Sequence, residues 1–194
     1  MAHTASAWRI RLERLSLEHE RVFLAAVRVS RALHAPWISA PVTAERFKAY
    51  VKARSNERNI SYLAFSSDDG ALLGVVNISQ IVRGAFQSAY LGYYAFAPHQ
   101  RRGVMTSVLS KVVTRAFGSH RLHRVEANIQ PGNHASLRLV EKLGFRREGL
   151  SARYLKIGGR WRDHERWAIT REEWKNRQER AVPALMQTTP DRSR

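Results

Sequence analysis

The chain has 194 residues, 44% hydrophobic and 25% charged, the composition of a globular protein with one sizeable core. It contains no cysteine, which excludes a disulfide framework, a thiolate zinc site and a cysteine nucleophile. Lys and Arg number 33 against 16 Asp and Glu, a net charge of +17 that favours polyanionic partners, although a solvated arginine-rich surface accounts for it equally well. No apolar run reaches the roughly 18 to 20 residues of a membrane helix, and residues 1–9 lack the apolar stretch of a secretory signal, so a cytoplasmic protein without membrane contact is expected.

In chain order, Trp8 to Leu15 alternates as a strand does. Glu18 to Ala35 reads as one helix with Val22, Phe23, Ala26, Val27 and Ser30 on one stripe, ended by Pro36. A second helix starts at Thr43, a good N-cap, and carries Phe47, Tyr50, Val51 and Arg54. Strands are expected at 61–66, 71–82 and 89–97, joined by turns at Asp68-Asp69-Gly70 and Arg83-Gly84-Ala85-Phe86, as an antiparallel meander. Gln100-Arg101-Arg102-Gly103-Val104-Met105 then runs into an amphipathic helix whose buried face is Met105, Val108, Leu109, Val112 and Ala116. A strand at 124–129 precedes a helix that opens at Asn133, buries Ser136, Leu139, Val140 and Leu143, and stops at Gly144. Two strands follow around a Gly158-Gly159 hairpin. Residues 1–174 are expected to form one domain, with 175–194 a basic, polar, partly disordered tail. The order of elements implies an α/β sheet of mixed strand direction.

The stretch Gln100 to Met105 carries the first chemical signal. A helix start presents unpaired backbone N–H groups and a partial positive charge. Gly103, with no Cβ, lets a phosphate approach the backbone, and Arg101 and Arg102 add guanidinium groups suited to phosphate oxygens. No Gly-Lys-Ser/Thr follows, and the second and third glycines of a dinucleotide fingerprint are missing, so neither of those motifs fits. An ordinary strand-to-helix glycine beside two solvated arginines is the competing explanation. Asn133-His134-Ala135-Ser136, followed by Glu141-Lys142-Leu143-Gly144-Phe145, is the second signal.

With both stretches in hand, the sequence resembles the GNAT superfamily of acyl-CoA-dependent N-acetyltransferases over about residues 8–174. Gln100 to Met105 is similar to the family's Gln/Arg-x-x-Gly-x-Gly/Ala junction, with Met105 in place of a small last residue. Asn133 to Phe145 is similar to its Asn-x-x-Ser helix ending in Leu-Gly-Phe. Residues 122–128, 74–77 with 82–84, 91–93 and 159–164 resemble the ribosomal-protein-alanine N-acetyltransferases of the RimJ/RimL type. The resemblance implies a mostly antiparallel sheet with helices on both faces, splayed into a V between the fourth strand, ending at Ala97, and the fifth, beginning at Arg124. Acetyl-CoA would lie in that V, its thioester against the backbone of Phe96 and Ala97. Its pyrophosphate would rest on the amides of Arg101, Arg102, Gly103, Val104, Met105 and Thr106, with Gln100 also at the cofactor, and Asn133 and Ser136 would flank the pantetheine arm.

The implied reaction is direct attack of an amine on the thioester. Many relatives carry a tyrosine proton donor where this chain has Val140, so Ser136 is the candidate donor for the leaving thiolate. Glu126 is the candidate base, against a purely salt-bridged role, with Tyr93 and Asn128 positioning the amine or a water. Asn77 and Asp163 are weaker candidates, because turn and hairpin polar groups usually satisfy local backbone. His120 and His123 lack the company of further ligands, so no metal is expected. Trp37, Trp161, Trp167 and Trp174 read as core or rim anchors. The expected acceptor is the α-amino group of a ribosomal protein beginning with alanine, with ribosome or RNA contact through the basic surface and a monomer or homodimer as the working form. A small amine or aminoacyl-tRNA as acceptor, and a ribosome-associated RNA-binding assembly factor, are the alternatives.

Overall fold

The computed structural model describes residues 8–35 and 37–186. Pro36 and residues 187–194 of the expected tail lie outside the described residues. The strands are β1 (Ile10–Arg14), β2 (Ser55–Asn56), β3 (Asn59–Ser66), β4 (Leu72–Val82), β5 (Ser88–Ala95), β6 (Arg124–Ile129), β7 (Arg146–Ile157) and β8 (Arg160–Thr170). The helices are α1 (Glu20–Val29), α2 (Arg31–His34), α3 (Ala44–Arg54), α4 (Val104–Phe117), α5 (His134–Lys142) and α6 (Arg171–Met186).

The strands form one sheet in the order β1-β3-β4-β5-β6-β8-β7, with the two-residue β2 beside β3. Every pairing is antiparallel except β5 with β6. That pair is parallel because α4 carries the chain back across the sheet, the connection a parallel neighbour requires. Two apolar layers hold the helices to the sheet. Val108, Leu109, Val112, Val113 and Ala116 of α4 pack with Val76, Ile78, Val125, Ala127 and Ile169 on one face. Phe23 and Val27 of α1, with Phe47 and Val51 of α3, pack with Leu63, Val75 and Phe96 on the other. The Phe23 ring lies 4.9 Å from Phe47 and 5.8 Å from Phe96, within the range of favourable aromatic pairing.

The expected helix at 18–35 is divided. A 3-10 turn over Leu17–His19 precedes α1, and the chain leaves helical geometry at Ser30 before α2. Ser30 is drawn into tertiary structure, since its Oγ accepts the Ala97 N–H at 3.0 Å. Of the predicted stripe, Phe23, Val27 and Ser30 are buried, whereas Val22 is exposed. Thr43 caps α3 as expected, its Oγ1 accepting from Arg46 N at 3.3 Å. The stretch from Lys175, read as tail, continues as helix to Met186. Trp174 anchors that helix: it is buried and its Nε1 donates to Thr114 Oγ1 at 3.1 Å. Trp161, in contrast, stands exposed by the hairpin. Among the described residues no helix is long and apolar enough to cross a membrane.

His34 ties α2 to β5. Its Nε2 donates to Ala95 O at 2.8 Å, while its Nδ1 is buried with no hydrogen-bond partner among the described residues. Burial holds this imidazole below its usual value, outweighing the Ala95 bond. The unfolded chain therefore binds a proton that the fold refuses in the window below about pH 6.5, and stability falls as pH falls through it. The slope from this group is at most about 1.4 kcal/mol per pH unit. Melting temperatures of wild type and His34→Gln between pH 7.5 and 5.5 check this: the variant is expected to lose less stability on acidification.

Candidate active site

β5 and β6 pair only at Ser88–Arg124, Ala89–Val125 and Tyr90–Glu126. Beyond those rungs β5 continues to Ala95 beside β4, and β6 continues to Ile129 beside β8. Two strands held by different neighbours diverge, and a wedge opens between residues 91–95 and 127–129. The amino ends of α4 and α5 follow directly from the carboxyl ends of these two strands, where α/β sheets place their ligands.

The backbone at the wedge is oriented by the ladder. Phe96 N–H donates to Leu73 O at 2.9 Å, so in register the groups of Tyr94 also turn toward β4. Those of Tyr93 and Ala95 turn the opposite way, into the wedge, where Ala95 O accepts from His34. The amides of Phe96 and Ala97, expected to face a thioester, are thus already engaged with Leu73 O and Ser30 Oγ. The sequence does not reveal this, because strand phase is set by the partner strand.

The loop to α4 presents unpaired backbone amides. Gly103 is the N-cap in the left-handed region (φ 76°), with no side-chain cap, and a Cβ built there would meet nothing within 4 Å. Arg101 also has positive φ (61°), which turns successive amides to the same side. Thr106 N–H is held by Gly103 O at 3.0 Å, which leaves the amides of Val104 and Met105 as first-turn donors. Val104 is buried beneath the loop. Gln100 Oε1 is buried without a partner among the described residues. Met105, the departure from a small residue, is accommodated by Gly74: a Cβ there would lie 2.7 Å from the Met105 sulfur.

Trp8, which nothing in the sequence marks as a site residue, clamps this loop. Its Nε1 donates to Arg102 O at 3.0 Å, and the Arg102 guanidinium lies 5.2 Å from its ring centroid. Its ring also meets His99 edge-on at 6.1 Å. The only sequence cue is an aromatic residue at the start of an edge strand.

Across the wedge, Asn133 Oδ1 caps α5 by accepting Ser136 N–H at 3.2 Å, which fixes the orientation of both residues. Tyr93 Oη donates to Ser136 O at 3.4 Å, and burial raises this phenol well above its usual value, so it stays protonated. The opposite face of the sheet presents Glu126 and Asn128 of β6 with Arg166 of β8, directly across from Asn128. Glu126 accepts from Arg124 Nε at 2.9 Å, and its side chain is 17% exposed. Arg124 also grips Glu148, its main partner, which raises the guanidinium above its usual value. Tyr90, beside Glu126, is pushed up to about 12, first by the Tyr154 hydroxyl and then by burial.

The weaker candidates are structural. Asn77 Oδ1 accepts from Ser61 Oγ at 2.6 Å and Tyr50 Oη at 3.0 Å, and Asp163 Oδ1 accepts Arg153 N–H at 2.7 Å. Among the described residues no three His, Cys, Asp or Glu side chains gather as metal ligands would.

Residues 9–146 match the model of the acetyltransferase (GNAT) domain. The chain is 38% identical over 125 residues to the probable N-acetyltransferase YjcK of Bacillus subtilis, covering 64% of this chain and 69% of that one. It is 38% identical over 110 residues to the [ribosomal protein uS5]-alanine N-acetyltransferase of Escherichia coli, spanning 57% of each. Among solved structures, Mycobacterium smegmatis RimJ in complex with CoA-disulfide superposes with a TM-score of 0.78 at 26% identity, over 84% of this chain and 83% of that one. A sheet split where its two parallel strands part, an uncapped helix start at Gly103 and a domain-length family match lead to one conclusion: the chain belongs to the GNAT acetyltransferases.

Proposed function

We propose that this protein transfers the acetyl group of acetyl-CoA to the N-terminal α-amine of a polypeptide, with a ribosomal protein beginning in alanine as the favoured acceptor. The Gly103 turn and the amides of Val104 and Met105, with Arg101 and Arg102, would hold the pyrophosphate. The backbone of Tyr93 and Ala95 would run beside the pantetheine arm, with Ser136 and Tyr93 near the sulfur. The amine nitrogen attacks the thioester carbonyl, a C–N bond forms, the C–S bond breaks, and the thiolate departs. The surplus proton on nitrogen passes to Glu126 or to water, and the sulfur takes one from solvent. A thiolate is less basic than an alkoxide, so Ser136 stabilises it as a hydrogen-bond donor rather than by surrendering a proton, while the Tyr93 hydroxyl holds the Ser136 carbonyl.

The observation that carries the acceptor assignment is the cross-strand pair Asn128–Arg166. Asn128 and Arg166 are paired across β6 and β8, and Asn128 Oδ1 and Arg166 Nε, an acceptor and a donor, are both buried without partners among the described residues. An unmet buried polar atom costs about 1–3 kcal/mol, so the pair fits a ligand that offers both a donor and an acceptor. The start of a peptide does so, with an amine N–H and, one residue on, a carbonyl. A polyamine offers donors only and would meet the Arg166 cation. Sequence similarity to the uS5-alanine enzyme supports the same choice.

Thiol release from acetyl-CoA with an alanine-initiated peptide, with spermidine and with a simple monoamine tests this. The peptide is expected to give the highest kcat/KM, and Arg166→Met is expected to lower it about tenfold while leaving the monoamine value unchanged. Spermidine outrunning the peptide would overturn the proposal.

A further inference from the structure

At the end of the sheet remote from the wedge, Arg14, Ser55, Asn56, Glu57, Arg58, Ile60 and residues 80–83 line a groove of about 920 Å³. α4 separates it from the Gly103 turn, its 14 residues spanning about 21 Å. Behind the groove, Tyr62 and His120 gather further cations. The Tyr62 ring, itself buried, lies 5.7 Å from the Arg14 guanidinium and 5.2 Å from that of Arg115. Tyr62 Oη and His120 Nε2 are hydrogen-bonded at 2.8 Å, and Arg83 donates to His120 O at 2.5 Å. Burial and the charges of Arg14, Arg83 and Arg115 hold His120 below its usual value.

The arginines that pair with carboxylates lie outside this groove. Arg9, Arg11, Arg124, Arg146, Arg147 and Arg171 each pair with a carboxylate. Among the described residues, Arg14, Arg58, Arg83 and Arg115 pair with none within 4.0 Å, even though Glu57 lies in the same groove. The guanidiniums of Arg14 and Arg115 are held by the Tyr62 ring and that of Arg83 by a carbonyl, which orders these three without neutralising them.

We propose that this groove docks an RNA phosphodiester backbone, at a site separate from the acetyl-transfer wedge. The groove is open rather than enclosed and offers several ordered guanidiniums, which suits repeated phosphates better than one small anion. β3 and β4 are flanked on both sides by other strands, so an acidic peptide would find only the two-residue edge of β2 to pair with. Tyr62 is covered by arginines and offers no face for a base, so the interaction is sequence-independent.

The test is fluorescence anisotropy with labelled mixed-sequence 20-nucleotide RNAs over a salt series. Arg58→Gln with Arg83→Gln is expected to raise Kd at least tenfold. It should also flatten the log–log salt slope by about 1.4, because each single-strand phosphate that the protein no longer neutralises removes about 0.7. Acetylation of a short peptide by that variant should be unchanged. Arg58→Glu, at an exposed side chain, serves the same purpose should Arg83→Gln unfold the protein. The control removes equal charge as Arg21→Gln with Arg28→Gln, on the exposed face of α1. Equal weakening by the control would mean diffuse surface attraction and would overturn the proposal, as would equal displacement of RNA by a polyglutamate of matched charge. Because the readout is RNA binding, neither result depends on which amine is acetylated.

Discussion

Arg102→Glu combined with Gly103→Glu is expected to weaken acetyl-CoA binding by at least about 100-fold, roughly 2.7 kcal/mol. Two carboxylates would then stand where α4 offers its unpaired amides and its positive pole, and no guanidinium at position 102 would face a phosphate. Gly103→Ala separates site from fold. The free protein has open space where the new methyl would go, so its sole penalty there is the left-handed backbone, about 1 kcal/mol. If a pyrophosphate rests against Gly103, the methyl collides with it, and affinity falls far more than melting temperature does. Calorimetric titration of acetyl-CoA into both variants checks this. Wild-type affinity in the double variant would refute the placement of the phosphates.

The second large effect is expected at Glu126. Glu126→Gln should lower kcat for an alanine-initiated peptide about tenfold at pH 7, because most of the amine still carries its extra proton there. A peptide α-amine has a pKa near 8, so on the order of a tenth is already neutral at pH 7 and the base has little to do. The deficit should therefore shrink as pH rises through 8, where the amine loses its proton unaided. The substitution is mild structurally, because the new amide oxygen still accepts from Arg124 Nε, which now donates to Glu126 at 2.9 Å. Were Glu126 only a link in the chain of ion pairs with Arg124 and Glu148, the variant would keep its kcat across the whole pH range and lose only stability.

The elements were legible in the sequence because their causes are local, whereas the wedge was expected only from the family resemblance. Thr43 caps its own helix, Gly158-Gly159 (φ 56° and 80°) makes its own turn, and the spacing of Val108, Leu109, Val112 and Ala116 defines one face of α4 unaided. Gly103 at the strand–helix junction and Asn133 with Ser136 at the next helix start likewise act within a few residues. The break at Ser30 was not legible. It depends on the Ala97 N–H, far away in sequence, which competes for the hydroxyl. The run from Lys175 looked like tail because its composition is polar, yet buried Trp174 on Thr114 holds its first turn.

Composition and periodicity by themselves settled what kind of chain this is: a cysteine-free, strongly basic α/β domain with a glycine turn leading into an amphipathic helix. Only the tertiary structure decided which backbone groups face the wedge, that Trp8 clamps Arg102, that Arg166 stands across from Asn128, and that Arg14, Arg58, Arg83 and Arg115 gather without pairing to a carboxylate. The division has a physical cause. Turns, caps and helix faces are governed by neighbours three or four residues away, whereas strand phase and the convergence of charge depend on which distant strands lie side by side.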